Sequence, residues 1–355
     1  MYDINFYMKY DELLQSLDSE KPINIDELEF LLNNIRNKEP VIYNIETTNR
    51  CNMRCKMCPR TTMMTRHIED INRETFINIL KQIKPHSQED WAKWKAFCEN
   101  KYHIFESDMS ENHFFLYIIP KVIQLHGYGD PLLDKNMPEY VKILKEYGFS
   151  SYFSCNPANI DLDATYQMLE SGLDYIKYSI ESVDDAVHKQ IRGKASDFSR
   201  SFEKIKQVIN YKHEHSLNTT IVITMLDLNR TNQKEDYDKL LGAFKDLDVY
   251  IYLKSEDCQW YRKDFHGTHS IHWSEVCKHP WMSMTIKSNG EATMCMEDFN
   301  NEIILGNANT ESLYDIWNGK KYDEFRRQHL RASDKIKCVC ECDMKLIGDC
   351  LQIHE

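Results

Sequence analysis

The sequence lacks the features of a membrane-bound or secreted protein. Its longest uninterrupted apolar run is six residues, Phe114 to Ile119, whereas a helix that spans a bilayer needs about 20. The first residues, Met1 to Asn5, hold no basic region followed by an apolar one, so we expect no secretion signal. These absences predict a cytoplasmic protein that does not act in a membrane.

The chain also lacks an excess of positive charge. Lys and Arg total 44 against 56 Asp and Glu, which gives a formal net charge of −12. Nucleic-acid grooves and polybasic membrane patches depend on clustered cations. The composition therefore argues against nucleic acid or membrane lipid as the main partner.

What the chain does have is length and cysteine. Its 355 residues exceed what one hydrophobic core usually serves, so we predict one large domain and a smaller appended one. Twelve cysteines in a reducing compartment favour metal binding over a disulfide framework.

Short β-branched segments alternate with amphipathic helical segments through the first two thirds of the chain. Such alternation predicts a parallel sheet with helices outside it. Six strands are too few for a closed barrel of eight, so we predict an α/β fold with a partial (β/α)6 TIM-like barrel. The predicted strands are residues 41–47, 121–126, 151–155, 175–180, 219–225 and 249–254.

Other segments flank or interrupt this barrel. Leucines at helical spacing predict a helical leader, and residues 84–119 form an insertion that is either a structural cover of the barrel side or a lid that contacts substrate. Beyond the last strand we predict a small α+β domain with a hairpin across Ser288 to Gly290 and a helix over 313–329. The predicted domains are residues 1–38, 39–257 and 258–355.

The strongest chemical signal is a cysteine loop directly after the first predicted strand. Cys51, Cys55 and Cys58 are spaced so that three thiolates can bind one soft metal centre. A structural zinc site normally has four ligands, so three favour an iron–sulfur cluster with one open iron. A zinc ion with a distant fourth ligand is the alternative.

The segment from Glu46 to Cys58 resembles the cluster loop of the radical S-adenosylmethionine (SAM) superfamily. The resemblance implies a [4Fe–4S] cluster on Cys51, Cys55 and Cys58, with SAM bound at the open iron. It also implies that an electron from the cluster cleaves SAM and that the 5′-deoxyadenosyl radical takes a hydrogen atom from a substrate. Met57 would contact the adenine through its backbone.

Further motifs of that superfamily follow in chain order. The segment after the second strand resembles the glycine-rich element that holds the SAM amino group, with an Asp where the family has Glu. For each position a structural role, such as a turn, a cap or a surface charge, is the alternative. The implied cofactor contacts are Gly127, Gly129, Asp130, Ser154, Ser179 and Arg192, of which the arginine would pair with the SAM carboxylate.

A second resemblance covers the C-terminal region. Cys277, Gly290 and Cys295 are spaced as in the opening of the SPASM or shorter Twitch extension of radical SAM enzymes. The resemblance implies an auxiliary [4Fe–4S] cluster, and we expect one, although a second is not excluded and zinc is the alternative. The remaining ligands would be two of Cys338, Cys340 and Cys342, with the first and last slightly favoured and Cys350 spare.

Together these resemblances predict a radical SAM oxidoreductase or epimerase. Residues near the end of the sixth strand, among them Tyr252, Lys254 and Glu256, favour a polar substrate. A sugar- or aminocyclitol-like small molecule is favoured, a peptide is the alternative, and a non-catalytic iron–sulfur or zinc scaffold is the alternative of another class. If the reaction is an epimerisation, Cys258 is the predicted hydrogen-atom donor, and a buried free thiol without a catalytic role is the alternative. A flavodoxin- or ferredoxin-type protein is the expected electron donor.

Overall fold

The computed structural model of the protein describes residues 1–17, 24–254 and 277–331. Within these three ranges no helix is long and apolar enough to cross a membrane. Several predicted site residues lie outside the described residues, namely Cys258, Cys338, Cys340, Cys342 and Cys350.

The six predicted barrel strands are all present, each parallel to its neighbours, so the predicted fold class is confirmed. Three further strands extend the same sheet from the C-terminal region. The strands are β1 (Ile42–Ile45), β2 (Val122–Gln124), β3 (Ser150–Cys155), β4 (Tyr175–Ser179), β5 (Thr220–Leu226), β6 (Tyr250–Lys254), β7 (Met284–Ile286), β8 (Glu291–Thr293) and β9 (Gly306–Asn307). Their order in the nine-stranded sheet is β6-β5-β4-β3-β2-β1-β7-β8-β9.

Helices connect the strands and cover both faces of the sheet. Many begin after an Asp, Asn or Ser whose side chain accepts a backbone N–H of the first turn, as Asp197 does from Arg200 at 3.0 Å. The helices are α1 (Ile4–Ser16), α2 (Ile25–Ile35), α3 (Arg73–Leu80), α4 (Gln88–Tyr102), α5 (Glu111–His113), α6 (Met137–Glu146), α7 (Leu162–Glu170), α8 (Asp185–Arg192), α9 (Phe198–Glu214), α10 (Gln233–Phe244), α11 (His279–Met282), α12 (Leu313–Trp317) and α13 (Lys320–Leu330).

The C-terminal strands join the barrel directly. β7 is parallel to β1, and the backbone N–H of Glu46 donates to Ile286 at 2.8 Å. The predicted hairpin is confirmed, with Gly290 at a positive φ of 83° in its turn. The prediction of a single helix over 313–329 is wrong, because α12 ends before Gly319 and α13 begins after it. The extended backbone of Gly319 caps α13. A Cβ at this position would lie 2.5 Å from the carbonyl oxygen of Asp315.

The two faces of the barrel sheet pack into separate apolar cores. Because strand side chains alternate, Phe153 belongs to a core shared with the outer helices while its neighbour Tyr152 belongs to the other. That second core is rich in aromatic residues and includes Phe6 of α1, Trp94 of α4 and Phe114. The leader and the insertion therefore fill the inner face of the barrel together.

Candidate functional site

A cavity of about 280 Å³ lies at the carboxyl ends of the barrel strands. Alternate strand residues face it, because successive side chains of a strand point to opposite faces. The insertion contributes Phe114, Phe115 and Ile119, so this segment both covers the barrel and lines its cavity. Contact of this segment with a substrate stays a prediction.

The cavity brings together residues that the motifs predicted from distant parts of the chain. Cluster-loop, strand-end and C-terminal residues meet around one space. The predicted site residues that line it are Met57, Cys58, Gly127, Ser154, Ser179, Arg192 and Cys295. Their individual roles toward a cofactor stay predictions.

The cysteine loop is fastened to the end of α8. The backbone N–H groups of Arg54 and Lys56 donate to the carbonyls of Arg192 and Ile191, at 3.1 and 2.9 Å. Gly193 makes this approach possible: its φ is +102°, and a Cβ there would lie 2.9 Å from the nitrogen of Arg54. These two hydrogen bonds therefore position the cysteine loop relative to Arg192, the predicted ligand of the SAM carboxylate.

The loop supplies three thiols, the side chains that ligate iron–sulfur clusters. Burial raises the pKa of Cys51 to about 11 and that of Cys58 to about 12, and neighbouring loop thiols contribute to both increases. Cys51, Cys55 and Cys58 are all free of disulfides. Since a thiolate is the form that binds metal, a cationic centre would be needed to keep these buried sulfurs deprotonated. In the described part of the chain, no group of three or more His, Cys, Asp or Glu side chains is arranged to hold a metal ion, so cluster binding by these three cysteines stays a prediction.

Arg192 is a fixed cation beside this loop. Its Nε donates to Oε1 of the fully buried Glu181 at 3.1 Å, and its Nη1 lies 3.8 Å from the sulfur of Cys55. Burial opposes the charge of Arg192, but Glu181 and Cys55 outweigh burial and raise its pKa. A carboxylate bound by Arg192 would share the guanidinium with Glu181.

Two of the residues predicted to contact the cofactor, Gly129 and Asp130, have structural roles in the fold. A Cβ on Gly129 would lie 2.1 Å from the carbonyl oxygen of Thr48, so only glycine lets these loops touch. The carboxylate of Asp130 accepts hydrogen bonds from the N–H of Asn156 at 3.1 Å and the side-chain amide of Asn159 at 2.8 Å. Burial raises the pKa of Asp130 to about 6 against these bonds. Contact of either residue with SAM stays a prediction.

Sequence reasoning missed Glu46, which joins the site to the C-terminal strands. The buried carboxylate forms a bidentate pair with Arg66 at 2.8 Å for both bonds and accepts the N–H of Tyr128 at 3.0 Å and the N–H and hydroxyl of Ser288 at 3.1 Å. Burial alone would raise its pKa, but Arg66 and Lys287 lower it to about 2. The signal was a Glu closing an apolar strand, where a charge has to be paired.

Sequence reasoning also missed Lys177 in the middle of β4. Lys177 is 7% exposed and lines the cavity. It lies two positions before Ser179, so both side chains are on the same side of the strand. The available signal was a single lysine flanked by Ile176 and Tyr178 in an otherwise apolar strand.

Comparison with known proteins identifies two domain families in the chain. A model of the radical SAM superfamily matches residues 117–241, and a model of an iron–sulfur cluster-binding domain, SPASM, matches residues 277–343. Among curated proteins, a tungsten-containing aldehyde ferredoxin oxidoreductase cofactor-modifying protein of Pyrococcus furiosus is 21% identical over 328 residues, which cover 79% of this chain and 82% of that protein.

Solved structures show the same fold at low sequence identity. SuiB of Streptococcus suis bound to SAM is 13% identical, with a TM-score of 0.55, covering 90% of this chain and 77% of SuiB. Native anSMEcpe with bound SAM and a peptide is 11% identical, with a TM-score of 0.51, covering 86% of this chain and 90% of that one.

The two family matches also define the cofactors. The first implies SAM and a [4Fe–4S] cluster, and the second implies auxiliary iron–sulfur binding in the C-terminal region. The cavity, the three-cysteine loop and both matched regions lead to one conclusion. The chain is a member of the radical SAM superfamily that carries a C-terminal SPASM-type iron–sulfur cluster-binding domain.

Proposed function

We propose that this enzyme removes a hydrogen atom from a polar small molecule held in the cavity, and that oxidation or epimerisation of that molecule follows. The observation that carries the proposal is the composition of the cavity wall. Cys58, Arg192 and Cys295 all line the cavity, so one space borders the cluster loop and the C-terminal region. A substrate there would be close to both.

Polar atoms inside the cavity support a hydrogen-bonding substrate. Among the described residues, Nε2 of Gln124 and Nδ1 of His126 are buried without a hydrogen-bond partner, and both residues line the cavity. Burial and nearby Lys177 lower the pKa of His126 to about 3, so this imidazole is neutral at physiological pH. Buried polar groups normally have partners, and a polar substrate would supply them.

Aromatic side chains would keep water from the reacting atoms. Phe114 packs against Tyr152 and Tyr252, with ring centroids 5.3 and 5.4 Å apart. Exclusion of water strengthens the electrostatic interactions inside a site and suppresses side reactions. The insertion, which supplies Phe114, would thus complete the reaction chamber.

Cofactor binding would be divided among the residues as the motifs predict. Cys51, Cys55 and Cys58 would hold the cluster, while Ser179 and Arg192 would hold SAM. When bound, these groups supply a 5′-deoxyadenosyl radical that accepts the hydrogen atom. A flavodoxin- or ferredoxin-type protein would supply the electrons, and Cys277 with Cys295 would hold part of an auxiliary cluster.

Anaerobic reconstitution tests the proposal. With SAM and dithionite, the wild-type protein should form 5′-deoxyadenosine, whereas Cys58→Ala should not. Cys98→Ala is the matched control, because Cys98 is a buried thiol in the leader and insertion core. Absence of 5′-deoxyadenosine from fully loaded wild-type protein would favour a non-catalytic scaffold.

Two further measurements refine the result. Counting four irons per cluster, about eight irons per chain would indicate one auxiliary cluster and about twelve would indicate two. A panel of sugars, aminocyclitols and peptides should show which class accelerates 5′-deoxyadenosine formation. Acceleration by peptides alone would contradict the small-molecule proposal.

A further inference from the structure

The inner wall of the cavity holds a buried lysine that the described protein leaves without a counterion. Within the described residues, Nζ of Lys177 has no hydrogen bond and no ion pair, although it faces the cavity. A buried ammonium is costly unless it is paired, so such a side chain normally has a partner. Here the cavity is the place where that partner would bind.

Aromatic rings hold Lys177 in place without neutralising it. Its Nζ lies 5.1 Å from the ring centroid of Phe114 and 5.6 Å from that of Tyr152. Cation–π contacts of this kind stabilise an ammonium and orient it, but they bring no negative charge. The side chain is therefore positioned in advance for an anion.

The charged groups around Lys177 add to the positive potential of the cavity. Lys254 at the end of β6 and Arg192 on α8 act against the charge of Lys177, whereas Glu111 on α5 acts in its favour. Arg192 is already paired with Glu181. Burial, with Lys254 next, lowers the pKa of Lys177 to about 7.

We infer that the substrate carries an anionic oxygen group, a carboxylate or a phosphate-like ester, which binds to Lys177 on the inner wall of the cavity. This inference rests on the proposed function, since it names the substrate class of the same site. Ser179 lies two residues closer to the carboxyl end of β4, so the anion would bind deeper in the barrel than the predicted SAM contact. The substrate is then anchored by one end while its reacting carbon faces the mouth.

The test measures anion binding and not turnover. Reconstituted protein is saturated with S-adenosylhomocysteine, which fills the SAM site and is not cleaved, and is titrated calorimetrically with sulfate or with acetate at constant ionic strength. Sulfate represents a phosphate-like ester and acetate represents a carboxylate. Wild-type protein should bind at least one of them, and Lys177→Gln should bind it at least tenfold more weakly.

Lys142→Gln is the matched control, because Lys142 is an exposed lysine on α6, on the outside of the barrel. It should bind the anion within twofold of wild type. Equal affinity in wild type and Lys177→Gln, or no saturable binding of either anion by wild type, would overturn the inference. If the S-adenosylhomocysteine-free protein binds the anion but the saturated protein does not, Lys177 belongs to the SAM site and the inference is also wrong.

A pH series separates a direct role from a structural one. Because Lys177 has to be protonated to hold an anion, sulfate affinity of wild type should fall severalfold between pH 6 and pH 8. In Lys177→Gln it should stay flat over that range, which a merely misfolded variant would not explain. The proposed function fails on a different result, the absence of 5′-deoxyadenosine, so the two can fail independently.

Discussion

Glu46 accepts five hydrogen bonds from three different parts of the chain. Its side chain is fully buried, and its partner Arg66 is only 7% exposed. Removing one charge of a buried pair leaves the other without a counterion, which is more costly than losing a surface pair. Glu46 therefore links the loops around the cavity through its hydrogen bonds to Arg66, Tyr128 and Ser288.

Glu46→Gln should lower the free energy of unfolding by about 3 kcal/mol, because Arg66 stays buried and unpaired. Urea denaturation of cluster-free protein, followed by tryptophan fluorescence, measures the loss. The control is Glu139→Gln, which breaks an exposed pair with Arg73 and should cost less than about 1 kcal/mol. Similar losses in both variants would contradict the assigned role.

The lowered pKa of Glu46 predicts that the stability of the fold depends on pH. The pKa of Glu46 is about 2 in the folded protein against an ordinary value of 4.5. A lowered carboxyl pKa stabilises the fold fully above pH 4.5, and this contribution is lost as the pH falls toward 2. The stability gap between wild type and Glu46→Gln should be constant from pH 7 to 5.5 and about 40% smaller at pH 3.5. A gap that widens on acidification would show the opposite linkage.

Gly129 is required by a backbone contact. Gly129→Ala would push the loop after β2 away from Thr48 and so displace the start of the cysteine loop. The expected result is a loss of about 1–3 kcal/mol in unfolding free energy together with a lower iron content after reconstitution. Gly242→Ala in α10 has no atom within 4 Å of the new Cβ and should stabilise by up to about 1 kcal/mol. Equal effects of the two would disprove the steric explanation.

The π-helical turn Phe114–Ile118 is the element that closes the cavity from inside. Its first residue is 1% exposed and packs among the tyrosines of β3 and β6. A π-helical turn within a helix is rare and is often found at functional sites. In this chain it places one aromatic ring against the buried lysine of β4.

Phe114→Ala should cost about 3–5 kcal/mol of unfolding free energy, because it leaves a cavity among packed rings. Phe105→Ala in the same insertion removes a ring that is 49% exposed and should cost less than about 1 kcal/mol. Thermal and urea unfolding of the two variants side by side provide the measurement. A small effect at Phe114 would mean that the turn is not part of the packed inner face.

The barrel strands could be predicted because their signal is local. Short β-branched segments separated by amphipathic helices indicate a parallel sheet, and each predicted strand is present. The pairing of β7 with β1 could not be predicted, since it joins segments more than two hundred residues apart. Nor could the packing of α1 against α4, because both carry a merely amphipathic pattern.

Residues of the candidate site could be predicted where they belong to a sequence motif, but residues outside the motifs could not. Cys58, Ser154, Ser179 and Arg192 were predicted from the resemblance to the radical SAM superfamily, and all four line one cavity, although their roles stay predictions. Lys177 was missed because a polar residue within a strand usually marks the solvent face. The lysine is buried because the core formed by the leader and the insertion covers that face, with Phe114 against its ammonium group.

The sheet makes the barrel depend on the C-terminal region. β1 is buried at every position and pairs with β2 on one side and β7 on the other. A chain that ends at Lys254 lacks β7 and would present β1 as an open edge, which is a template for association. We expect this truncated chain to elute as aggregate in size-exclusion chromatography.

A chain that ends at Arg331 keeps β7, β8 and β9 and is the control for this experiment. This control should elute as a dispersed protein. Elution as aggregate would mean that loss of the residues after Arg331 promotes association even when β7 is present. A dispersed, folded product from the chain that ends at Lys254 would contradict the dependence of β1 on β7.

The position of β1 also has a consequence during synthesis. A ribosome adds about 5–20 residues per second, so the roughly 240 residues between β1 and β7 take on the order of 12–50 s to emerge. Throughout that interval the nascent polypeptide exposes an unpaired hydrogen-bonding edge to its neighbours on the polysome. Binding by a chaperone during translation would therefore protect this enzyme well before any cofactor can be inserted.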